Sequence, residues 1–287
     1  MSRKDTRGHP LFTALVERVS GGITGWAHVG LNRPVKTTRH TMRIQPRDLQ
    51  ILLLLYRYDR VGVAQVQQAC FRSRGAAYKR LRTLAVHGFV TATQLNAAVP
   101  RGTGIYLYGL GPVGKRALAE HLGLEPGDLR RLSYLRDPIF VDHHLAICDF
   151  RLKLERACHQ YGVPLLSWET ERQLRARHAR PEPDGVFALI TEQRRFRYEL
   201  DMGTAHKGKV VAKLKAYLTD PDRTLVLWDV PDENRANYLR DWALAVAANE
   251  RVDPTIALIS VRPGDPLGWV WTVPGVANPV SLLGGQL

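Results

Sequence analysis

Apolar residues recur in this chain with two different periods, and the order in which the period changes predicts its elements. Pro46 and Asp48 stand where a first helical turn tolerates proline and favours an acid, and the apolar run that follows predicts a buried helix through about residue 56. A break at 60–62 leads to a short second helix over 63–70, with Val63, Val66 and Cys70 in helical spacing. Ser73 is placed to cap a third helix running to about residue 86, whose apolar stripe is Ala77, Leu81, Leu84 and Ala85. Gly88 ends it. Alternating positions then predict strands over 90–95 and 105–110, joined by a loop with Pro100, Arg101, Gly102 and Gly104, and a fourth helix over 112–122.

After residue 137 the periods predict a helix over 141–161 and a strand over 163–168. The segment 169–180 is polar and Arg-rich and reads as an excursion or loop. Strands over 184–190 and 195–201, a helix over 207–218, a strand over 225–230, a long helix over 233–249 and a strand over 255–261 follow, with a last strand near 269–273. The fold class is therefore α/β (α+β). Residues 1–42 show weak periodicity and many breakers, and 33–43 are strongly basic, as in an arm that tracks phosphates or a flexible lead-in. The expected parts are a basic extension over 1–42, a first domain over 43–136 and a second over 137–287.

Charge separates those domains. Of 41 Lys and Arg and 27 Asp and Glu, residues 1–136 hold 22 basic against 7 acidic, and residues 137–287 hold 19 against 20. Nearly all of the net charge of +14 thus lies in the first half, which points to a polyanion as its partner. No apolar run suits a membrane span or a secretory signal, and Cys70, Cys148 and Cys158 are too few and too scattered for a disulfide framework. The expected location is cytoplasmic, with no membrane contact.

Three helices, a two-stranded wing and a closing helix make the layout of a winged helix-turn-helix, whose third helix enters the major groove of double-stranded DNA. Gly75, Lys79 and Arg82 lie opposite the apolar stripe of that helix, with Arg74, Tyr78 and Arg80 on its flanks. The expected DNA-binding residues are Arg72, Ser73, Arg74, Tyr78, Lys79 and Arg82, together with Arg101 in the wing loop. A solvated cationic face and a protein-interaction module are the competing readings.

The second half concentrates acids at strand ends. With a period of two, Arg197, Glu199 and Asp201 share one face, and hairpin pairing brings Asp184 beside them. Like charges so close repel unless a proton or cation intervenes. The expectation is a metal site made by Asp184, Glu199 and Asp201 for Mg²⁺ or Mn²⁺, ions that take oxygen ligands and bind phosphate. His143 and His144 follow Asp142 at a helix start, where they serve as metal ligands, a general acid (His144 above all) or caps. Glu155 adds a carboxylate or belongs to a solvated helix face.

The order αβββαβ, with Asp184 opening the second strand and Glu199 on the third, resembles the core of the PD-(D/E)xK nuclease superfamily. Asp201 stands where that pattern places a lysine, and Lys207, Lys209 and Lys213 on the next helix are the nearest substitutes. Lys213 borders the buried stripe of Val210, Leu214 and Tyr217 and can reach back. His143-His144, Pro183-Asp184-Gly185, Glu199-Leu200-Asp201-Met202-Gly203-Thr204, and Lys213-Leu214 with Tyr217 together resemble the plasmid replication-relaxation family. They are also similar to mobilisation relaxases with a restriction-nuclease-like fold. The resemblance implies a winged helix followed by a nuclease-like domain, with catalytic residues Asp184, Glu199, Asp201, Lys213 and His144. It implies plasmid or mobile-element DNA processing: metal-dependent nicking or relaxation at an origin, or replication initiation. Its partners would be double-stranded DNA, a single-stranded nicked product, and plasmid replication or mobilisation proteins. The alternative is a non-catalytic DNA-binding regulator or assembly factor with a degenerate nuclease-like domain.

Overall fold

The computed structural model describes residues 42–95, 105–125, 127, 129, 140–177, 181–190 and 194–284. These fall into two compact units, 42–152 and 153–284, and the division lies inside one helix. Arg101, expected in a wing loop, and residues 1–41 of the expected extension over 1–42 lie outside the described residues.

The first unit begins with α1 (Pro46–Tyr58), buried along Ile51, Leu52 and Leu55. Its start is fastened by Asp48, which accepts from the Gln45 amide at 2.8 Å and from Arg80 Nε at 2.6 Å. That ion pair ties α1 to α3 (Arg74–Val86), so Arg80 serves packing and leaves the outer flank. Between them lie β1 (Arg60–Val61) and α2 (Val63–Cys70). Residues 60–61, which in the sequence register only as a helix break, pair with β3 (Ile105–Leu110). With β2 (Val90–Leu95) they form an antiparallel sheet in the order β1-β3-β2. Two residues are too short a run for periodicity to register.

The sheet meets α4 (Pro112–Leu122) closely enough that glycine is required. A Cβ on Gly114 would lie 2.0 Å from the Phe89 carbonyl oxygen, and one on Gly111 would lie 2.4 Å from that of Gly88. The helix α5 (Val141–Tyr161) contributes its first half to this unit, where Gln65 donates to Asp149 at 2.8 Å and the Arg151 guanidinium lies over the Tyr58 ring.

The second unit is built on one five-stranded sheet in the order β4-β5-β6-β7-β8. The strands β4 (Leu165–Thr170), β5 (Gly185–Leu189) and β6 (Arg195–Leu200) pair antiparallel. The strands β7 (Leu225–Val230) and β8 (Ala257–Val261) continue in parallel from β6. Crossovers through α7 (Lys207–Leu218) and α8 (Glu233–Glu250) make the parallel pairings possible. Val210, Leu214 and Tyr217 of α7 and Leu239 and Ala243 of α8 pack on Val226, Trp228 and Ile259.

Three expectations change here. The polar segment after β4 holds a short helix, α6 (Glu171–Ala176), because Gln173 accepts from the Thr170 amide at 2.8 Å and Glu171 pairs with Arg175 one turn later. Asp253 caps a single 3₁₀ turn, Pro254–Ile256, which delays β8 to Ala257. The run at 269–273 makes only isolated bridges, Ile259 with Thr272 and Trp271 with Val280.

Candidate functional site

The site lies where β5 and β6 meet α7. Gly185 pairs with Tyr198, so the antiparallel register sets Asp184 opposite Glu199. Both motif glycines have local reasons. A Cβ on Gly185 would press on the Trp168 indole at 2.8 Å, and Gly203 turns the chain with φ +77°. Asp184 Oδ2 accepts from the Leu200 amide at 2.8 Å, which holds the carboxylate at the end of β6.

Glu199 is 2% exposed, an expensive place for a carboxylate. It accepts from Lys213 Nζ at 2.5 Å and from the Tyr217 hydroxyl. Those donors stand one turn apart on α7 and reach the same carboxylate. Burial and the neighbouring Asp184 charge push Glu199 up to about 8, while Lys213 and Tyr217 pull the other way. The charges of Glu199 and Asp184 raise Lys213 and hold it as an ammonium against the opposing effect of burial. Burial and Glu199 raise Tyr217, so it is a donor in this site. Behind Tyr217, the Arg197 guanidinium covers its ring and pairs with Asp220 at 2.7 Å.

The structure brings together Asp184, Glu199 and Lys213. It does not bring Asp201. β6 ends at Leu200, and beyond it the Asp201 carboxylate accepts from the Gly203 amide at 2.7 Å and from Arg235 Nε at 2.8 Å. Strand parity fails there because the chain has begun to turn. Asp201 is thus a buried anchor between the turn and α8. His144 has partners of its own. It belongs to the other unit, where its Nε2 lies 2.8 Å from the Arg60 carbonyl oxygen, and burial lowers its pKa. Glu155 is 3% exposed, so it is not on a solvated face.

Among the described residues, no three His, Cys, Asp or Glu side chains come together as a metal-holding group. Two carboxylates nonetheless suit Mg²⁺, which usually keeps several waters and takes one or two protein carboxylates. Burial first and the Asp184 charge second raise Glu199, and the Lys213 ammonium is the cation that partly offsets them.

Sequence reasoning missed two partners. The role of Tyr217 was visible in its i, i+4 spacing from Lys213. Arg235 carried no local signal, since its partner lies 34 residues earlier. Sequence reasoning also missed a polar cluster around Asp229, which accepts from the Tyr198 hydroxyl at 2.9 Å and from Arg262 Nη1 at 3.1 Å.

In the first unit, α3 and the two residues before it present Arg72, Ser73, Arg74, Tyr78, Lys79 and Arg82 as an exposed face. Ser73 caps the helix, its hydroxyl accepting from the Ala76 amide at 3.3 Å. The Arg82 guanidinium rests 6.0 Å from the Tyr78 ring centre. Gly75 has nothing within 4 Å of where its Cβ would be, so a side chain would fit there without a clash. No described helix is long and apolar enough to cross a membrane.

A family model described as replication-relaxation matches residues 52–219, a span that contains α3, Asp184, Glu199, Lys213 and Tyr217. No curated protein and no solved structure matches the chain.

Proposed function

The chain belongs to the replication-relaxation family, and from that premise we propose that it is a metal-dependent DNA-nicking protein of plasmid or mobile-element replication. In this reading its first unit is a winged helix-turn-helix that docks on double-stranded DNA, and its second is a nuclease-like domain that cuts one strand.

One observation carries the reading. Glu199 is buried at the end of β6, Asp184 stands opposite, and Lys213 reaches Glu199 from the following helix at 2.5 Å. An acid pair with an adjacent lysine can hold a divalent cation and steady a phosphate during phosphodiester hydrolysis. In this reading Asp184 and Glu199 hold the cation. A divalent cation held there would neutralise phosphate charge and lower the pKa of a bound water. Tyr217 and the Leu200 amide fix the two carboxylates. Lys213, moved from strand to helix, orients the attacking water or steadies the phosphate. The α3 face, with Lys79 and Arg82 outermost, supplies phosphate contacts and groove readout.

The test is incubation of the protein with a supercoiled plasmid carrying its own origin region. The expected outcome is nicking with Mg²⁺ or Mn²⁺ that is abolished by chelator, by Asp184→Ala and by Glu199→Ala. Tight origin binding with no nicking under any metal sinks the enzymatic reading.

A second reading, a DNA-binding assembly factor with a degenerate site, has its own support: Lys213 and Tyr217 already satisfy Glu199. On that reading, the same plasmid assay gives binding alone.

A further inference from the structure

We propose that a groove at the N-terminal ends of β6 and β7 holds a single-stranded nucleic-acid segment, with a base stacked on Trp269 and phosphates against Arg195 and Arg223. The proposal rests on the nuclease reading and extends it, because an enzyme that opens one strand must hold the strand beside the cut.

The groove encloses about 840 Å³, within the size range of ligand sites. Its described lining carries three arginines, Arg194, Arg195 and Arg223, and no carboxylate. Acids orient two of these guanidiniums without lining the groove: Asp253 lies 3.1 Å from Arg223, and Glu169 lies 3.5 Å from Arg195. Trp269 forms part of the wall and is 70% exposed, so core packing does not account for it. Exposed aromatic rings beside cations are the parts from which strand-binding grooves are made: every base has a face to stack, and phosphate supplies the complementary charge. Asn278, also on the wall, offers both a donor and an acceptor to a base edge.

Placement supports the same occupant. Arg195 and Glu199 lie four residues apart on β6, about 13 Å along the strand. Roughly four nucleotides at the helical rise of about 3.4 Å span that distance. Arg197 and Tyr217 cover the strand face between Arg195 and Glu199, so a strand cut near Glu199 reaches the groove by passing around α7.

The test uses the full-length protein in chelator, titrated with an oligothymidylate of about ten nucleotides, within the reach of a single strand-binding groove. Tryptophan emission is expected to be quenched as the oligonucleotide binds. Trp269→Ala should remove that quench and weaken binding roughly 5- to 100-fold, the range for losing one stacked base. Arg223→Ala should weaken binding and lower the slope of log affinity against log salt by about 0.7. Unchanged affinity in both variants overturns the proposal, as does displacement of the bound oligonucleotide by an equal concentration of an acidic peptide. Glu199→Gln should abolish nicking and keep the quench, so failure of the groove and failure of the catalytic site appear in different variants.

Discussion

Replacing Glu199 by glutamine should remove a loss of stability that the wild-type second unit suffers as pH rises. The glutamate sits 2% exposed beside Asp184, and its pKa rises from the ordinary 4.5 to about 8. Because the folded-state value lies above the unfolded one, protonation favours folding. The contribution is complete below about pH 4.5 and is lost as pH rises through about 8. Each tenfold change in a proton-binding constant is worth about 1.4 kcal/mol, so between pH 5 and pH 8 the wild-type protein gives up about 3–4 kcal/mol that an amide retains. Glutamine keeps the shape and one acceptor for Tyr217 or Lys213 but cannot ionise. The assay is urea unfolding in chelator at a series of pH values, followed by tryptophan emission. Five of the six tryptophans (Trp168, Trp228, Trp242, Trp269 and Trp271) lie after residue 152, so the signal reports the second unit. Glu199→Gln should gain on wild type steadily from pH 5 to pH 8, and Mg²⁺ should flatten the wild-type curve. Parallel curves for the two proteins would refute the electrostatic explanation of the site.

Other outcomes follow from the geometry. Gly114→Ala places a Cβ 2.0 Å from the Phe89 carbonyl and should cost about 3 kcal/mol, the upper end for overpacking; amide exchange should quicken in 42–152 and stay unchanged in 153–284. Asp201→Asn weakens the contact with Arg235 and should cost about 2 kcal/mol of stability, while metal-dependent nicking persists because Asp201 is not in the site. Lys79→Ala and Arg82→Ala should each lower duplex affinity and reduce the salt slope by about 1, read from binding isotherms at several salt concentrations; an unchanged slope would remove α3 from the DNA contact.

Much of this architecture is legible in the sequence because it is periodic. The helices over 46–58, 74–86, 112–122, 141–161, 207–218 and 233–250 carry clear apolar stripes, and β2, β3, β5, β6 and β7 alternate or run apolar. The acid pair is legible too, since both carboxylates stand at strand ends of one expected hairpin, and the observed register of Gly185 with Tyr198 sets Asp184 against Glu199. What escapes depends on contacts between distant residues. Strand parity makes Asp201 a ligand, but β6 stops one residue earlier and Arg235 takes the carboxylate. His144 looks available at a helix start, yet it is occupied by the Arg60 carbonyl of β1, a strand too short to predict. Arg80 belongs to the outer-face charge by helical spacing, but Asp48, 32 residues away in sequence, claims it. Lys213 is the reverse case: its place at the border of the α7 stripe is enough to foresee its reach toward Glu199.

The lysine that reaches Glu199 from α7 is the most specific element of the proposed site, and single-turnover nicking of an origin plasmid by Lys213→Ala tests it most directly. With Mn²⁺ saturating and DNA binding unchanged, the nicking rate should fall by at least about 100-fold, the lower end for a group acting in proton transfer or charge stabilisation. Wild-type nicking rates in Lys213→Ala would contradict the proposed role of this lysine and, with it, the catalytic site.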